Sequence, residues 1–310
     1  MKNDANQPYR FDSLPEAHRI MGLPMPKHPL VSLINGCQHG NIRMPSGTHV
    51  LYFYKISYKP KFSGKLKYGQ GYFDFDGGGM LFAAPGQLIG PHEGDENPES
   101  MALATLLIHP DFLWNHPLAR KIKQYGFFSY ATNEALHLSD EEKETILSIF
   151  KMIENELNSR IDDFSQGVIL SQIELLLNYA DRFYKRQFLT RNAVNTDLLQ
   201  KLEDILERHF NDPELATKGT PTVQCLAGQL NLSPSYLSDM LRVSTGQSAQ
   251  QHIHEKLIQK AKEILSTTTL SVGEIAYALG FEHSQSFSKL FRKKVNQSPL
   301  EFRRSFQMRA

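Results

Sequence analysis

Two short stretches of the chain concentrate hydrogen-bonding and cationic side chains at helical spacing. Ser233, Ser235, Tyr236, Ser238, Asp239 and Arg242 form the first set. Ser284, Gln285, Ser286, Ser288, Lys289, Arg292 and Lys293 form the second. Their chemistry suits a nucleic acid. A glutamine can pair bidentately with adenine, so Gln285 is a candidate base reader, and Lys289 can reach a guanine or a phosphate. Asp239 is the odd member. It could accept a hydrogen bond from cytosine N4, but an unpaired carboxylate near phosphates is unfavourable, so its expected role is to fix Arg242. For any one of these residues plain solvent exposure competes with groove contact; their occurrence in two copies is what favours the groove.

Other residues are weaker candidates. His92, Glu93, His109 and His116 could suggest a metal site, but they form no closely spaced histidine pair, and no metal is expected. Asp74 and Asp76 alternate along a strand and fit a solvated face better than an acid/base pair, because no histidine or nucleophile accompanies them. Cys37 has no basic neighbour to activate it, and Cys225 reads as a small hydrophobe on the core side of a helix. Tyr52, Phe53 and Tyr54 read as strand residues rather than as a ligand cage.

The elements that would carry the two polar sets repeat. The first unit runs from Thr220 to Leu241, with Thr220 as cap and Pro221 at the first helical position. Val223, Leu226, Ala227 and Leu230 face a core, and Asn231 supplies a turn with positive φ. Ser233 caps a second helix that starts at Pro234 and turns Leu237 and Leu241 inward. The second unit runs from Ser271 to Phe291, with Ser271 and Glu274 as a capping box. Ala276 answers to Ala227, Gly280 to Asn231, Phe281 to Leu232, Phe287 to Leu237 and Phe291 to Leu241, with one extra residue between turn and helix. A single helix from Gln250 to Ser266 joins the copies through Ile253, Leu257, Ala261, Ile264 and Leu265. Helix, short turn and second helix is the hairpin that reads a major groove.

With those residues in hand, the segment from about 220 to 306 resembles the AraC/XylS family DNA-binding domain. The resemblance rests on LSPSYLSDML (232–241), Thr245-Gly246, AKEIL (261–265) and EIAYALGFEHSQSFSKLFRKKVNQSPLEFR (274–303). Two positions depart from the family pattern: Asn296 stands where Gly is usual, and Leu241 where Phe is common. Asn can adopt the left-handed conformation, so little consequence is expected at Asn296. The resemblance implies a sequence-specific transcription regulator and not an enzyme. More weakly, YFDFDGGGMLFAAPGQ (72–87) and IHPDFL (108–113) resemble the cupin-like sensor domain of many such regulators, which implies effector sensing and often dimerisation without identifying a ligand.

The rest of the chain gives the expected frame. Strands are expected at 50–58, near Leu66 and Tyr72–Phe75, at Met80–Ala84, at Leu88–Ile89 and at Leu103–Ile108, divided by Gly and Pro turns and a polar loop at 90–100. That pattern predicts a barrel or double-sheet roll. Ser139 and Glu142 open a helix with Ile146, Ile149, Phe150, Ile153 and Leu157 on one face, and a second helix follows from about Phe164 to Arg186. Ile169, Ile173, Leu176 and Leu177 on that second helix are the expected dimerisation residues. Residues 187–197 read as a linker. Leu198, Leu202, Ile205, Leu206 and Phe210 mark a further helix, ended by Asn211-Asp212-Pro213. The expected class is a two-domain α+β protein: a cupin-like β-barrel or jelly-roll with two helices over 1–190, and an all-α domain of two helix-turn-helix units over 191–310.

Composition fits. At 310 residues, 40% hydrophobic and 22% charged, the chain can build two cores. The net charge of +1 hides a gradient: 19 basic against 21 acidic residues up to 190, then 15 against 12. Residues 289–310 hold seven basic residues and one acid, which suits a polyanion partner. Two cysteines argue against a disulfide framework, the N-terminus lacks an apolar signal core, and no apolar run reaches the roughly 20 residues of a membrane span, so a cytoplasmic setting is expected. The expected partners are double-stranded DNA, an unidentified small-molecule effector, a second copy of the chain and RNA polymerase, with no cofactor. A cupin enzyme fused to a DNA-binding domain, or an architectural DNA binder without an effector, are the competing readings.

Overall fold

The computed structural model describes residues 8–36, 49–60, 66–68, 71–73, 78–89, 102–131, 134–160, 162–216 and 219–307. Cys37, Asp74, Asp76, His92, Glu93, Arg309 and the whole polar loop at 90–100 lie outside these residues. The chain divides into two compact units, Met1–Thr190 and Arg191–Ala310.

The first unit is mixed. Strand β1 (Tyr9–Phe11) precedes α1 (Leu14–Met21), which Ser13 caps and Gly22 ends at φ 72°. Then come β2 (Val31–Asn35), β3 (His49–Leu51), β4 (Tyr54–Lys59), β5 (Leu66–Tyr68), β6 (Gly71–Phe73), β7 (Gly79–Ala83), β8 (Leu88–Ile89) and β9 (Ala104–Ile108). The short helix α2 (Leu118–Lys121) and strand β10 (Leu136–His137) lead into α3 (Asp140–Asn158) and α4 (Ser165–Thr190). The expected strand at 50–58 is thus two strands, broken at Tyr52-Phe53.

The main sheet is antiparallel in the order β10-β7-β4-β9-β2. Its register sets Ile56 opposite Phe82 on one side and Leu106 on the other, all buried. That face meets an aromatic layer: Phe82 packs 4.5 Å from Phe127 and 6.2 Å from Tyr184 of α4. The opposite face carries Leu107, which joins a core of Phe11, Leu14, Leu51 and Phe53. Because both faces are covered, β4 and β9 are buried along nearly their whole length rather than alternating.

The strands do not close into a barrel. The five-stranded sheet ends at β2 and β10, and a separate three-stranded sheet runs β1-β3-β8. The reason is visible at β10. The His137 N–H donates to Gln187 Oε1 (2.8 Å), the His137 carbonyl accepts from Arg186 Nη2 (2.7 Å), and Gln187 Nε2 donates to the Ala135 carbonyl (3.2 Å). Side chains of α4 satisfy the backbone groups that a neighbouring strand would otherwise take, so the sheet stops there.

The helices α3 and α4 form as expected, with Ser139 and Glu142 making a reciprocal capping box. The four residues expected to dimerise need correction. Ile169, Ile173, Leu176 and Leu177 are all buried within their own unit, and α3 lies against α4. An apolar stripe satisfied inside the fold cannot also face a second copy. The expected linker at 187–197 is also corrected. Helix α4 runs to Thr190 and α5 starts at Asn192, because Tyr184, Gln187 and Phe188 continue the buried face.

The second unit is all helical among its described residues: α5 (Asn192–Asn211), α6 (Pro213–Ala216), α7 (Val223–Gln229), α8 (Pro234–Thr245), α9 (Ala249–Thr267), α10 (Val272–Ala278), α11 (Ser284–Val295) and α12 (Pro299–Gln307). Leu198, Leu202, Leu206 and Phe210 of α5, with Ile253, Leu257, Ala261 and Leu265 of α9, supply its core. No helix among the described residues is long and apolar enough to cross a membrane.

Candidate nucleic-acid interface

The two hairpins α7–α8 and α10–α11 are built alike to the level of single hydrogen bonds. In the first, Asn231 takes φ 56° and the Leu232 N–H donates to the Ala227 carbonyl at 2.9 Å. In the second, Gly280 takes φ 84° and the Phe281 N–H donates to the Ala276 carbonyl at 2.9 Å. Leu237 and Leu241 of α8, like Phe287 and Phe291 of α11, are buried. The extra residue of the second copy falls between its turn and α11, where the sequence alignment puts it.

Local capping explains three of the four starts, those of α7, α8 and α10. Thr222 Oγ1 accepts from the Cys225 N–H at 3.2 Å, so α7 begins two residues beyond the expected Thr220 cap. That shift turns Cys225 outward, exposed and within 3.4 Å of Gln229 Nε2, rather than onto the core. Ser233 Oγ accepts from the Tyr236 N–H at 3.2 Å, with Pro234 at the first position of α8. Ser271 and Glu274 form the capping box of α10. Asn296 closes α11 at φ 60°, taking the left-handed role usually given to glycine.

The reading faces follow from helical period. On α8, Ser235, Ser238 and Asp239 are half-buried and Arg242 is exposed. Asp239 Oδ1 accepts from Arg242 Nη1 at 2.7 Å, the pairing expected for that carboxylate. Tyr236 is corrected: it is 1% exposed, because it shares the inward face with Leu237, Met240 and Leu241 and cannot reach a base. Ser233 is occupied as the cap. On α11, Gln285, Ser286, Lys289, Arg292 and Lys293 are exposed, and Ser284 and Ser288 are half-buried. Lys289, Arg292 and Lys293 hold no ion pair among the described residues.

Lys294 adds an exposed cation at the end of α11 on the side toward α9 and was not among the expected site residues, although it follows Lys293 directly. Its field, with that of Lys293, reaches His254 of α9: burial first, then these two cations, lower the His254 pKa from its ordinary value. Arg303, counted in the basic end, is already committed. Its Nη2 donates to the Leu270 carbonyl at 2.5 Å and its Nε to the Leu265 carbonyl at 3.3 Å. No group of three or more histidine, cysteine, aspartate or glutamate side chains gathers among the described residues. His109 and His116 instead accept from the N–H groups of Asp111 and Leu118.

A family model for a helix-turn-helix domain matches residues 226–305, from within α7 through the second hairpin. The HTH-type transcriptional activator RhaS of Salmonella schwarzengrund is 32% identical over 148 residues, 47% of this chain and 51% of that protein. The C-terminal unit thus carries a helix-turn-helix region similar to those of AraC/XylS-type regulators. The Msm operon regulatory protein of Streptococcus mutans is 36% identical over 85 residues, 27% of this chain and 31% of that protein. Among solved structures, the C-terminal domain of the response regulator yesN from Fusobacterium nucleatum shares 31% identity, covering 34% of this chain and 98% of that one with a TM-score of 0.31. The chain spans about half the length of RhaS. In the C-terminal unit the two polar sets lie at the start of, or along, the second helix of each hairpin, and Tyr236 is turned into the core.

Proposed function

We propose that the chain is a sequence-specific DNA-binding transcription regulator whose first unit receives a small-molecule effector. The observation that carries this reading is the duplicated hairpin. Two second helices, α8 and α11, each present polar or cationic side chains outward from an apolar inner face. Helix α9 joins the hairpins; its 19 residues make a rod of ~28 Å, close to the ~34 Å between successive major-groove faces. Footprinting the full chain on its mapped genomic targets should show protection on one duplex face across two successive major grooves. Protection of one groove only would mean that a single hairpin engages.

The covered five-stranded sheet, beside a second small sheet, favours an open jelly-roll-like sensor within the cupin-like class. A second observation favours self-association. Phe164, Val168 and Leu175 of the 164–190 segment are apolar and exposed, on the side of α4 opposite its buried stripe. Sedimentation of a Val168→Glu, Leu175→Glu variant should then show monomers where the parent chain shows dimers. An unchanged assembly would remove this face from consideration.

A further inference from the structure

The first unit carries a groove outside its sheet core. After β9 the chain turns through a short 3-10 helix, Pro110–Leu113, toward α2. The turn is fixed by its own backbone: the Trp114 N–H donates to the Asp111 carbonyl at 3.2 Å and the His116 N–H to the Leu113 carbonyl at 3.1 Å. Asn115 takes φ 61°. Phe112 and Leu113 anchor inward, and Trp114, the only tryptophan of the chain, is left 70% exposed. Beside it opens a groove of about 770 Å³, within the roughly 300–1,000 Å³ of small-ligand pockets.

Three features of the lining point to an anion. Tyr54 lines the groove with its ring largely buried, and its hydroxyl makes no hydrogen bond among the described residues. Burial raises its pKa, so it stays a neutral donor. A hydroxyl free of protein partners at the groove wall can donate to an acceptor brought by a ligand. Arg120 and Lys123 line the same groove, exposed and without an ion pair among the described residues. The one acid of the lining, Asp111, lies 3.5 Å from His109 Nδ1 and is outnumbered by the two cations. Trp114 and Leu113 add an apolar wall with a flat aromatic surface.

We propose that this groove binds a small organic carboxylate with a flat apolar body. Arg120, Lys123 and the Tyr54 hydroxyl take the carboxylate, and Trp114 and Leu113 cover the body. This gives the effector of the proposed regulator a place and a chemistry, and in that respect rests on that reading.

The single tryptophan makes the test direct. Phenylacetate added to the full chain should change the Trp114 fluorescence saturably at millimolar concentration or below, with matching heat in calorimetry. Acetate, which lacks the body, and benzyl alcohol, which lacks the charge, should each bind at least about tenfold more weakly. An Arg120→Ala, Lys123→Ala variant with unchanged circular dichroism should lose the response, and Tyr54→Phe should weaken it about tenfold. No saturable change with phenylacetate, or an equal response in the Arg120→Ala, Lys123→Ala variant, overturns the site. DNA binding is measured separately, in samples without phenylacetate. A chain that binds phenylacetate but no DNA overturns the regulator reading and leaves the site standing.

Discussion

The two hairpins share one backbone plan and differ in what they present. Aligning Leu237 with Phe287 sets Ser235 against Gln285, Asp239 against Lys289, Arg242 against Arg292, Val243 against Lys293 and Ser244 against Lys294. The outer face of α8 is close to neutral, since its one arginine is paired to Asp239. The outer face of α11 carries three cations, Lys289, Arg292 and Lys293. Charge has therefore been varied while the left-handed conformation of the turn and two inward apolar positions are kept; the starts differ too, Ser233 capping α8 and His283 preceding α11 without a side-chain cap. The difference suggests a division of labour. Under the proposed function, α11 would supply most of the charge attraction to phosphate, and α8 would contribute mainly through short-range contacts.

The turns offer the strongest way to break this comparison. A Cβ on Gly280 would lie 2.5 Å from the Gly219 carbonyl carbon and 2.7 Å from the Thr220 nitrogen, both backbone. Gly280→Ala should therefore cost several times more stability than Asn231→Ala, where only a left-handed residue costing roughly 1–2 kcal/mol is at stake. Urea unfolding of the two variants measures the ratio, and equal costs would show that the second turn is not held against residues 219–220.

Charge gives the next effect. Removing Lys289, Arg292 and Lys293 together should lower the slope of log affinity against log salt by about 3 units, whereas Arg242→Ala should lower it by at most about 1. Titrations at several salt concentrations decide this. Equal slopes for the triple variant and Arg242→Ala would end the proposed division.

Base reading comes third. Gln285→Ala should relax preference at a single base pair by about 1–3 kcal/mol, measured over a panel of single-base operator variants. A uniform loss across the panel would make Gln285 a positioning residue. Smallest is Asp239→Ala. An exposed i,i+3 pair is worth about 0.2–1 kcal/mol, so global stability should barely move. Freed from Asp239, Arg242 should instead bind DNA slightly more tightly with less discrimination, which the same panel would detect.

Much of the second unit was legible in the sequence because its signals are local. A cap, a left-handed Asn or Gly and an inward residue each lie within a few positions of the turn they specify. The errors there were errors of phase. The cap at Thr222 rather than Thr220 moved Cys225 outward, and Tyr236 next to Leu237 proved to lie inside the apolar arc. The first unit was less legible because its pairings are distant. Strand β2 pairs with β9 some seventy positions later, and nothing near Val31 announces it. The stripe Ile169, Ile173, Leu176 and Leu177 has a period but no address: a face that packs within the fold and one that packs between copies carry the same pattern. The groove beside Trp114 was not legible either, since Tyr54 meets Arg120 and Lys123 only after β4 and β9 pair.

The finished edge at β10 bears on how this protein behaves when crowded. A strand arriving from another molecule would have to evict Gln187 and Arg186 from the His137 backbone and also strip Arg186 from Glu142, to which its Nε donates at 3.0 Å. The incoming chain would gain little beyond what those side chains already provide. That margin of the sheet is a poor template for fibre growth or for capture of a stray peptide, and it stays so only while the last turns of α4 remain wound.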